Sequence, residues 1–365
     1  MGFNCGIVGL PNVGKSTLFN ALTSTEAAAA ANYPFCTIEP NTGRVPVPDH
    51  RLQEIARIAS SARVIETQLE VIDIAGLVRG ASQGEGLGNQ FLGAIRSVDA
   101  ILHVLRCFED DDISHVEGGV DPVRDAELIE TELLLADLAS LEKQSEGLIK
   151  RARGGDKEAK AQLALIEKIK PAMEDGQPAR HLEAATKAPE DLNALNLMTA
   201  KPILYICNVD EGSAATGNAL SANVAEQAKK SGAGMVVVSA AIEAELAQLG
   251  KEDRLEYLMS LGLERPGLDR VIQAGYRLLG LSTFLTAGPK EARAWTIVNG
   301  MTAHEAAGRI HTDFQRGFIC AETISYADYI ACGGENGARE AGKLRQEGRD
   351  YVVKDGDVIL FRFNV

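Results

Sequence analysis

The sequence predicts an α/β protein with a doubly wound, mostly parallel sheet, an α-helical insertion and a small α+β domain at its carboxyl end. Three observations support this prediction. Apolar runs of the parallel-sheet type, separated by helical segments, recur along the first 240 residues and begin near residues 3, 69, 99, 202 and 234. A charged segment with helical periodicity interrupts this alternation. After Gly280 the pattern changes to short strands.

The composition is typical of a soluble globular protein. The chain has 365 residues, which is enough for two or three domains, and 45% of them are hydrophobic. No apolar run approaches the roughly 20 residues of a membrane span, and the first residues carry no secretion signal. Six cysteines without C-x-x-C spacing indicate reduced thiols, so we expect a cytoplasmic protein with no membrane partner. The net charge of −14 argues against indiscriminate nucleic-acid binding but allows a local basic surface.

The first strand leads into Gly9–Ser16, which fits the phosphate-loop pattern G-x-x-x-x-G-K-[ST]. Its glycines let the backbone turn tightly and direct N–H groups at phosphate oxygens, and the following helix adds its positive N-terminal end. Lys15 is expected to reach the β- and γ-phosphates, and the Ser16 hydroxyl to bind Mg²⁺. The predicted nucleotide-binding residues of this stretch are Asn12, Val13, Gly14, Lys15, Ser16 and Thr17.

Two further segments are predicted to sense the γ-phosphate. The loop at residues 32–41 contains Thr37, whose hydroxyl is expected at Mg²⁺ and whose N–H is expected at the γ-phosphate. The strand that begins at Leu69 ends in D-x-x-G, which places Asp73 where a Walker B aspartate holds Mg²⁺ and lets the N–H of Gly76 approach the γ-phosphate. The glycine-rich residues that follow, up to Leu92, are predicted to be a second switch.

The helical segment is predicted as an insertion at about residues 125–198. Two helices flank Gly154 and Gly155, the second ending before Pro171, which indicates a helical hairpin. It either projects like a coiled coil or packs on the parent domain. A charged hairpin of this length is suited to docking a partner.

The strand-like segments after residue 280 predict a separate domain at 281–365. They lie at residues 282–286, 294–298 and 351–363. The nucleotide-binding domain is accordingly assigned to residues 1–280, interrupted by the helical insertion.

The order of these motifs resembles that of Ras-like GTPases, with Asn208 and Ser239 at later strand ends. The glycine-rich run looks like the Obg branch. The N-x-x-E at Asn208–Glu211, the insertion and the ending at Lys354–Val365 resemble the YchF (Obg-like ATPase) family over essentially the whole chain. The resemblance implies a P-loop G domain, a coiled-coil insertion and a C-terminal TGS domain. It also implies a preference for ATP over GTP, ribosome association and RNA contact through the insertion and the TGS domain.

The base-reading motif departs from the N-K-x-D of GTPases. Val209 replaces the lysine, and Glu211 replaces the aspartate that accepts from guanine. Because the longer carboxylate shifts the acceptor, guanine recognition should weaken, and the Asn208 amide could pair with adenine N6 and N7. We therefore expect ATP preference. The alternative is that Glu211 simply substitutes for aspartate, in an Obg-type GTPase.

The residue that orients water in Ras-type GTPases is a glutamine after D-x-x-G, and this chain has Leu77 there. By resemblance to the family, His115 on an acidic loop is the candidate for this role, although a loop histidine can equally be ordinary surface. Lys15, Thr37 and Gly76 complete the predicted catalytic set. Asn12 could help bind K⁺, as in related GTPases that lack the glutamine.

The sequence as a whole favours a Mg²⁺-dependent ATPase that acts as a molecular switch on the ribosome. Two alternatives stay open. One is an Obg-type GTPase. The other is a nucleotide-gated binding protein whose hydrolysis is incidental, which Leu77 favours.

Overall fold

The computed structural model describes residues 3–30, 41–74, 87–116 and 118–364. Its strands, in chain order, are β1 (Asn4–Val8), β2 (Thr42–Pro46), β3 (Val64–Ile65), β4 (Gln68–Asp73), β5 (Ala100–Arg106), β6 (Ile203–Asn208), β7 (Gly234–Val238), β8 (Leu281–Ala287), β9 (Ala292–Val298), β10 (Phe318–Ile324), β11 (Arg345–Glu347) and β12 (Val358–Phe363). Its α-helices are α1 (Lys15–Ala30), α2 (His50–Ile58), α3 (Leu87–Ser97), α4 (Pro122–Arg153), α5 (Lys157–Glu174), α6 (Glu183–Lys187), α7 (Pro189–Ala194), α8 (Ala219–Ser231), α9 (Ala240–Gln248), α10 (Lys251–Ser260), α11 (Gly267–Leu278), α12 (Ala303–Ile310), α13 (Thr312–Arg316), α14 (Tyr326–Ala331) and α15 (Glu335–Glu340). Within these described residues, no helix is both long and apolar enough to cross a membrane.

The chain divides into two compact units, Met1–Val45 with Glu70–Gly275, and Pro46–Leu69 with Tyr276–Val365. The sequence predicts a boundary near residue 280 and places residues 46–69 in the nucleotide-binding domain. They lie in the second unit because β3 pairs with β9, and Leu52 and Ile55 of α2 belong to the same buried cluster as Leu285.

The first unit contains a sheet with the strand order β2-β4-β1-β5-β6-β7. The pairs β1–β4, β1–β5, β5–β6 and β6–β7 are all parallel, which confirms the predicted doubly wound sheet and adds β2 at one edge. Every residue of β5 and β6 is buried, as expected for central strands covered on both faces. The carboxyl ends of β1, β4, β5 and β6 meet at one edge of this sheet.

The insertion forms the predicted helical hairpin. α4 and α5 pack together around a buried cluster that includes Leu134, Leu141 and Leu148, a spacing of seven residues typical of coiled-coil packing. The predicted end of the second helix before Pro171 is wrong. α5 continues through Pro171 to Glu174, because Met173 in its last turn is fully buried in the same cluster.

The second unit contains a mixed sheet with the order β11-β10-β12-β8-β9-β3. β8 and β9 form an antiparallel pair close to the predicted strands. The third predicted strand, residues 351–363, is shorter in the structure. β12 begins only at Val358, because Lys354–Asp357 forms a turn in which the Lys354 N–H donates to Asp357 Oδ2 at 2.9 Å, and Gly356 has a φ of +84°.

Candidate functional site

A cavity of about 790 Å³ lies in the first unit, at the carboxyl ends of its central strands. Its walls come from the loop after β1 and from the segments that follow β5, β6 and β7. The lining residues are Asn12, Gly14, Thr17, Phe108, Glu109, Asp110, Ile113, Asn208, Val209, Asp210, Glu211, Gly212, Ser239, Ala240 and Ala241. In open parallel sheets this edge is where ligands bind.

The phosphate loop has the backbone that its sequence predicts. Gly14 has a φ of +90°, and a Cβ at this position would lie 2.3 Å from Asn208 Nδ2, so only glycine fits. Asn12 also has a positive φ, of +62°. α1 begins directly afterwards at Lys15, and the Leu18 N–H donates to the Gly14 carbonyl at 3.0 Å. The amide groups of this turn and the N-terminus of α1 make an anion-binding site.

Lys15 Nζ forms an ion pair with Asp73 Oδ1 across the loop. The two side chains are only 10% and 15% exposed, so β4 brings its terminal carboxylate to the phosphate loop as predicted. Ser16, in the first turn of α1, is exposed. Ser16 and Asp73 are hard oxygen donors of the kind that Mg²⁺ accepts. Mg²⁺ is commonly held by one or two protein ligands together with substrate phosphates and water.

Two predicted residues at the phosphate end, Thr37 and Gly76, lie outside the described residues, as does Leu77. Among the residues that are described, no group of three histidine, cysteine, aspartate or glutamate side chains could hold a metal ion by itself.

Asn208 is a structural brace in the cavity floor. Its Nδ2 donates to the Val13 carbonyl at 2.9 Å, and its Oδ1 accepts from the Ala240 N–H at 2.9 Å. The residue is 3% exposed. These two contacts use one N–H and one lone pair of the amide, so a second N–H and a second lone pair remain, and the pairing with adenine N6 and N7 stays a prediction.

The base end of the cavity contains the other predicted residues. Val209 is buried, and Glu211 is exposed at the start of the short 3-10 helix Glu211–Ser213. The neighbouring Asp210 caps this helix by accepting from the Ser213 N–H at 3.0 Å and from its hydroxyl at 2.9 Å. Ser239 is 2% exposed, and its hydroxyl has no hydrogen-bond partner among the described residues. It is a buried and unsatisfied polar group behind the cavity wall.

His115 does not line the cavity in this structure. Its side chain is 5% exposed and its Nε2 lies 2.9 Å from Asp125 Oδ2, in the first turn of α4. Arg124 contacts the other oxygen of the same carboxylate at 3.0 Å. The alternative that His115 is ordinary surface is wrong, and its catalytic role stays a prediction.

The wall formed by residues 108–114 was not predicted from the sequence. Phe108, Asp110 and Ile113 line the cavity opposite the segment that follows β6. The available signal was the presence of two large apolar residues, Phe108 and Ile113, in a run that is otherwise acidic.

Comparison with known proteins identifies the family. A relative from Haemophilus influenzae, named ribosome-binding ATPase YchF, is 57% identical over 365 residues and covers 100% of both chains. The chain belongs to the YchF family. A Bacillus subtilis YchF with the same name is 52% identical over 367 residues, again with 100% coverage of both chains.

Family models and a solved structure agree with this membership. A model for the C-terminal domain of YchF GTPases, described as a protein of unknown function, matches residues 281–364, and a model described as a 50S ribosome-binding GTPase matches residues 4–132. The structure of the Schizosaccharomyces pombe YchF GTPase is 39% identical, with a TM-score of 0.88, and the match covers 99% of this chain and 98% of that one. Names within the YchF family therefore mention both ATP and GTP hydrolysis.

Proposed function

We propose that the protein is a Mg²⁺-dependent, ATP-hydrolysing molecular switch that prefers ATP to GTP and associates with the ribosome. The observation that carries this proposal is the single cavity that joins a phosphate loop at one end to an altered base-reading motif at the other. The names of the bacterial YchF relatives support it.

At the phosphate end, this chain contributes charge and orientation rather than covalent chemistry. The amides around Gly14 bind phosphate oxygens, and Lys15 exchanges its contact with Asp73 for the β- and γ-phosphates. When bound, Mg²⁺ supplies neutralisation of phosphate charge, with Ser16, Asp73 and Thr37 as its proposed protein ligands. Phosphoryl transfer in P-loop proteins is catalysed mainly by such positioning and electrostatics.

At the base end, the proposal for ATP preference depends on Glu211. The side chain is one methylene longer than aspartate and is exposed at the start of a 3-10 helix, so its carboxylate is not fixed for the two guanine donors. Because one N–H and one lone pair of Asn208 are used by the protein backbone, adenine is contacted mainly by backbone groups of this wall, with the second N–H and second lone pair of the amide left for N7 and N6.

Equilibrium titration with ATP and with GTP, both in the presence of Mg²⁺, tests the preference. We expect ATP to bind about tenfold more tightly, a difference of about 1.4 kcal/mol. Glu211→Asp should narrow the difference between the ATP and GTP affinities, because it restores the guanine-binding carboxylate. The matched control Glu211→Gln should not narrow it. Tenfold tighter binding of GTP by the natural protein would overturn ATP preference.

An Obg-type GTPase remains the second candidate because the S. pombe relative carries the name GTPase. The same titration distinguishes it.

A third candidate is a nucleotide-gated binding protein with incidental hydrolysis. The position of His115 against Asp125, outside the cavity lining, favours it, because catalysis by His115 requires this contact to break. His115→Ala is expected to lower the ATP turnover rate at least tenfold with ATP affinity unchanged. Unchanged turnover would exclude the catalytic role and support the binding protein.

The proposed ribosome contact is assigned to the tip of the α4–α5 hairpin. Exposed cations cluster around its turn at Lys150, Arg151, Arg153, Lys157 and Lys160. Only Asp156 and Glu158 oppose them there, and the first pairs with Arg151. In the second unit, Lys343 and Arg345 are paired with Asp328 and Glu347, which reduces the charge that these two residues offer to RNA.

Cosedimentation with ribosomes tests this contact. Replacing Lys150, Arg153 and Lys157 together by glutamine should weaken ribosome binding and reduce its dependence on salt, because fewer phosphate counterions are released. The control replaces Lys168 of the same hairpin by glutamine, because this lysine is already paired with Glu183 of α6. If the tip variant binds ribosomes as tightly as the natural protein, the tip of the hairpin is not the contact site.

The proposed K⁺ site is at Asn12. Its Nδ2 donates to the Ser114 carbonyl at 3.3 Å, which leaves the amide oxygen as a potential ligand. The ATP hydrolysis rate of the natural protein should differ between KCl and NaCl. The rate of Asn12→Ala should be the same in the two salts.

A further inference from the structure

We propose that Arg106 is a positioning residue that fixes residues 108–114, here called the acidic loop, as the wall of the nucleotide cavity. The inference rests on the proposed function only in naming the ligand as a purine nucleotide. The contacts of Arg106 stand independently of that function.

Arg106 is the last residue of β5 and is 1% exposed. All three of its side-chain nitrogens donate to carbonyl groups of the acidic loop. Nε donates to Phe108 at 3.1 Å, Nη1 to Ile113 at 2.9 Å and Nη2 to Asp110 at 3.0 Å. The guanidinium also lies 4.7 Å from the centre of the Phe108 ring. One side chain therefore holds both ends and the middle of the loop.

A buried guanidinium is costly unless its donors are satisfied. Here they are satisfied by backbone carbonyls of an irregular segment, which has no strand or long helix of its own to pair them. Arginine suits this task because its planar fork presents donors in several fixed directions at once, whereas a lysine is a single point. The buried charge and the loop backbone thus satisfy one another.

The three residues held by Arg106 are the same three that line the cavity in this loop together with Glu109. The next carbonyl, that of Ser114, accepts from Asn12 in the phosphate loop at 3.3 Å. Fixing the loop before a ligand arrives removes part of the ordering cost of binding, which is how preorganisation raises affinity. Arg106 therefore acts on nucleotide binding through the wall, without contacting the nucleotide.

The first measurement is hydrogen exchange on the nucleotide-free protein. In Arg106→Lys, amide exchange in residues 108–116 should become at least tenfold faster, with the hairpin and the phosphate loop unchanged. Arg106→Met should show a larger acceleration, so that lysine gives a partial rescue. Unchanged exchange in the acidic loop of Arg106→Lys would overturn the proposal.

The second measurement is ATP affinity by calorimetry in the presence of Mg²⁺. Arg106→Lys is expected to weaken ATP binding about tenfold, as for the loss of one or two net hydrogen bonds. Arg180→Lys is the matched control, since Arg180 is another largely buried arginine of the first unit and pairs with Glu130 outside the cavity. It should leave ATP affinity unchanged.

The outcomes distinguish the proposed function from the positioning role of Arg106. A natural protein that binds no ATP would refute the proposed function but leave the exchange result to decide the role of Arg106. A loosened loop with unchanged ATP affinity, or equal losses in the Arg180 control, would refute positioning. If Arg106→Met does not fold, Phe108→Ala takes its place, because it removes part of the wall and the ring beside the guanidinium but keeps Arg106 and the backbone carbonyls that it holds. It should weaken ATP binding as Arg106→Lys does, and unchanged affinity would refute the role of the wall.

Discussion

The phosphate loop and the acidic loop face each other across one cavity, but they are held in different ways. The phosphate loop is shaped by its own backbone, with a positive φ at Asn12 and at Gly14, and the first turn of α1 follows at once. The acidic loop has no residue with a positive φ. It contains a local turn in which the Asp112 N–H donates to Asp110 Oδ1 at 2.9 Å, and three of its carbonyls are held by one buried side chain from the end of β5. A loop fixed locally can be recognised from a short sequence motif. A loop fixed by a side chain outside it becomes visible only in the folded structure.

The largest expected effect comes from breaking the local determinant. In Gly14→Ala, the new Cβ meets Asn208 Nδ2 at 2.3 Å in a backbone with a φ of +90°. We expect ATP affinity to fall more than about 100-fold and the free energy of unfolding to fall by roughly 2–3 kcal/mol. Calorimetry and denaturant unfolding measure the two quantities.

Gly155→Ala is the matched control, because Gly155 in the hairpin turn has a φ of +92° but open space where its Cβ would stand. It should cost about 1 kcal/mol of stability with no effect on ATP. Similar ATP affinities in the two variants would show that crowding in the phosphate loop is unimportant.

The next effect tests the brace between the phosphate loop and the far wall. Asn208→Ala leaves the Val13 carbonyl and the Ala240 N–H without their partner, and each such buried group costs about 1–3 kcal/mol. ATP affinity should fall about 30-fold, or roughly 2 kcal/mol. Asp137→Ala is the control, since Asp137 similarly holds the N–H groups of Met198 and Thr199, at 2.9 and 2.8 Å, at the base of the insertion. If the control weakens ATP binding as much, general destabilisation explains both.

Acid should affect the strand that supports the acidic loop. Burial lowers the pKa of His103, in the middle of β5, to about 3. Between this value and the ordinary 6.5, only the unfolded chain binds the proton, so stability falls as the pH falls. From pH 7.5 to pH 5 this residue should cost roughly 2 kcal/mol of unfolding free energy.

Denaturant titrations of the natural protein and of His103→Phe at both pH values measure this contribution. Between pH 7.5 and pH 5, the unfolding free energy of His103→Phe should fall by roughly 2 kcal/mol less than that of the natural protein. If the unfolding free energies of the two proteins fall equally on acidification, burial does not lower the pKa of His103.

The smallest effect concerns the direct bond between the two loops. Asn12→Ala removes the 3.3 Å hydrogen bond to the Ser114 carbonyl at an exposed position. Such a bond contributes little, so ATP affinity measured in NaCl should change by about threefold or less. A loss of tenfold or more would mean that the two loops are coupled more strongly than their separate supports imply.

The sequence predicted the parts of the site that short-range chemistry determines. The phosphate loop, the helix after it and the position of Asp73 at the end of β4 follow from spacing and strand pattern, and their mutual placement follows from the parallel sheet. The role of Arg106 was not predicted, because a charged residue inside an apolar run does not indicate which backbone carbonyls it will contact in the folded protein. The burial of His115 was not predicted either, because its partner Asp125 lies on the next helix and their contact forms only in the folded protein.

The fold shows the same distinction. The central strands and the hairpin were predicted, whereas residues 46–69 were assigned to the wrong unit, because the pairing of β3 with β9 joins positions more than 220 residues apart. The role given to Asn208 was chemically sound for a free amide. It stays a prediction, and what the sequence did not reveal is that the Val13 carbonyl and the Ala240 N–H also bond to this amide.

The length of α4 gives the His115–Asp125 contact a mechanical consequence. The helix has 32 residues and starts at this contact, so it extends about 48 Å to the basic turn at its far end. As a rigid lever of that length, it converts a tilt of about 5° at its first turn into a displacement of about 4 Å at the turn. A small rearrangement at the His115–Asp125 contact is thereby large enough, at the other end of the helix, to make or break contact with a bulky surface.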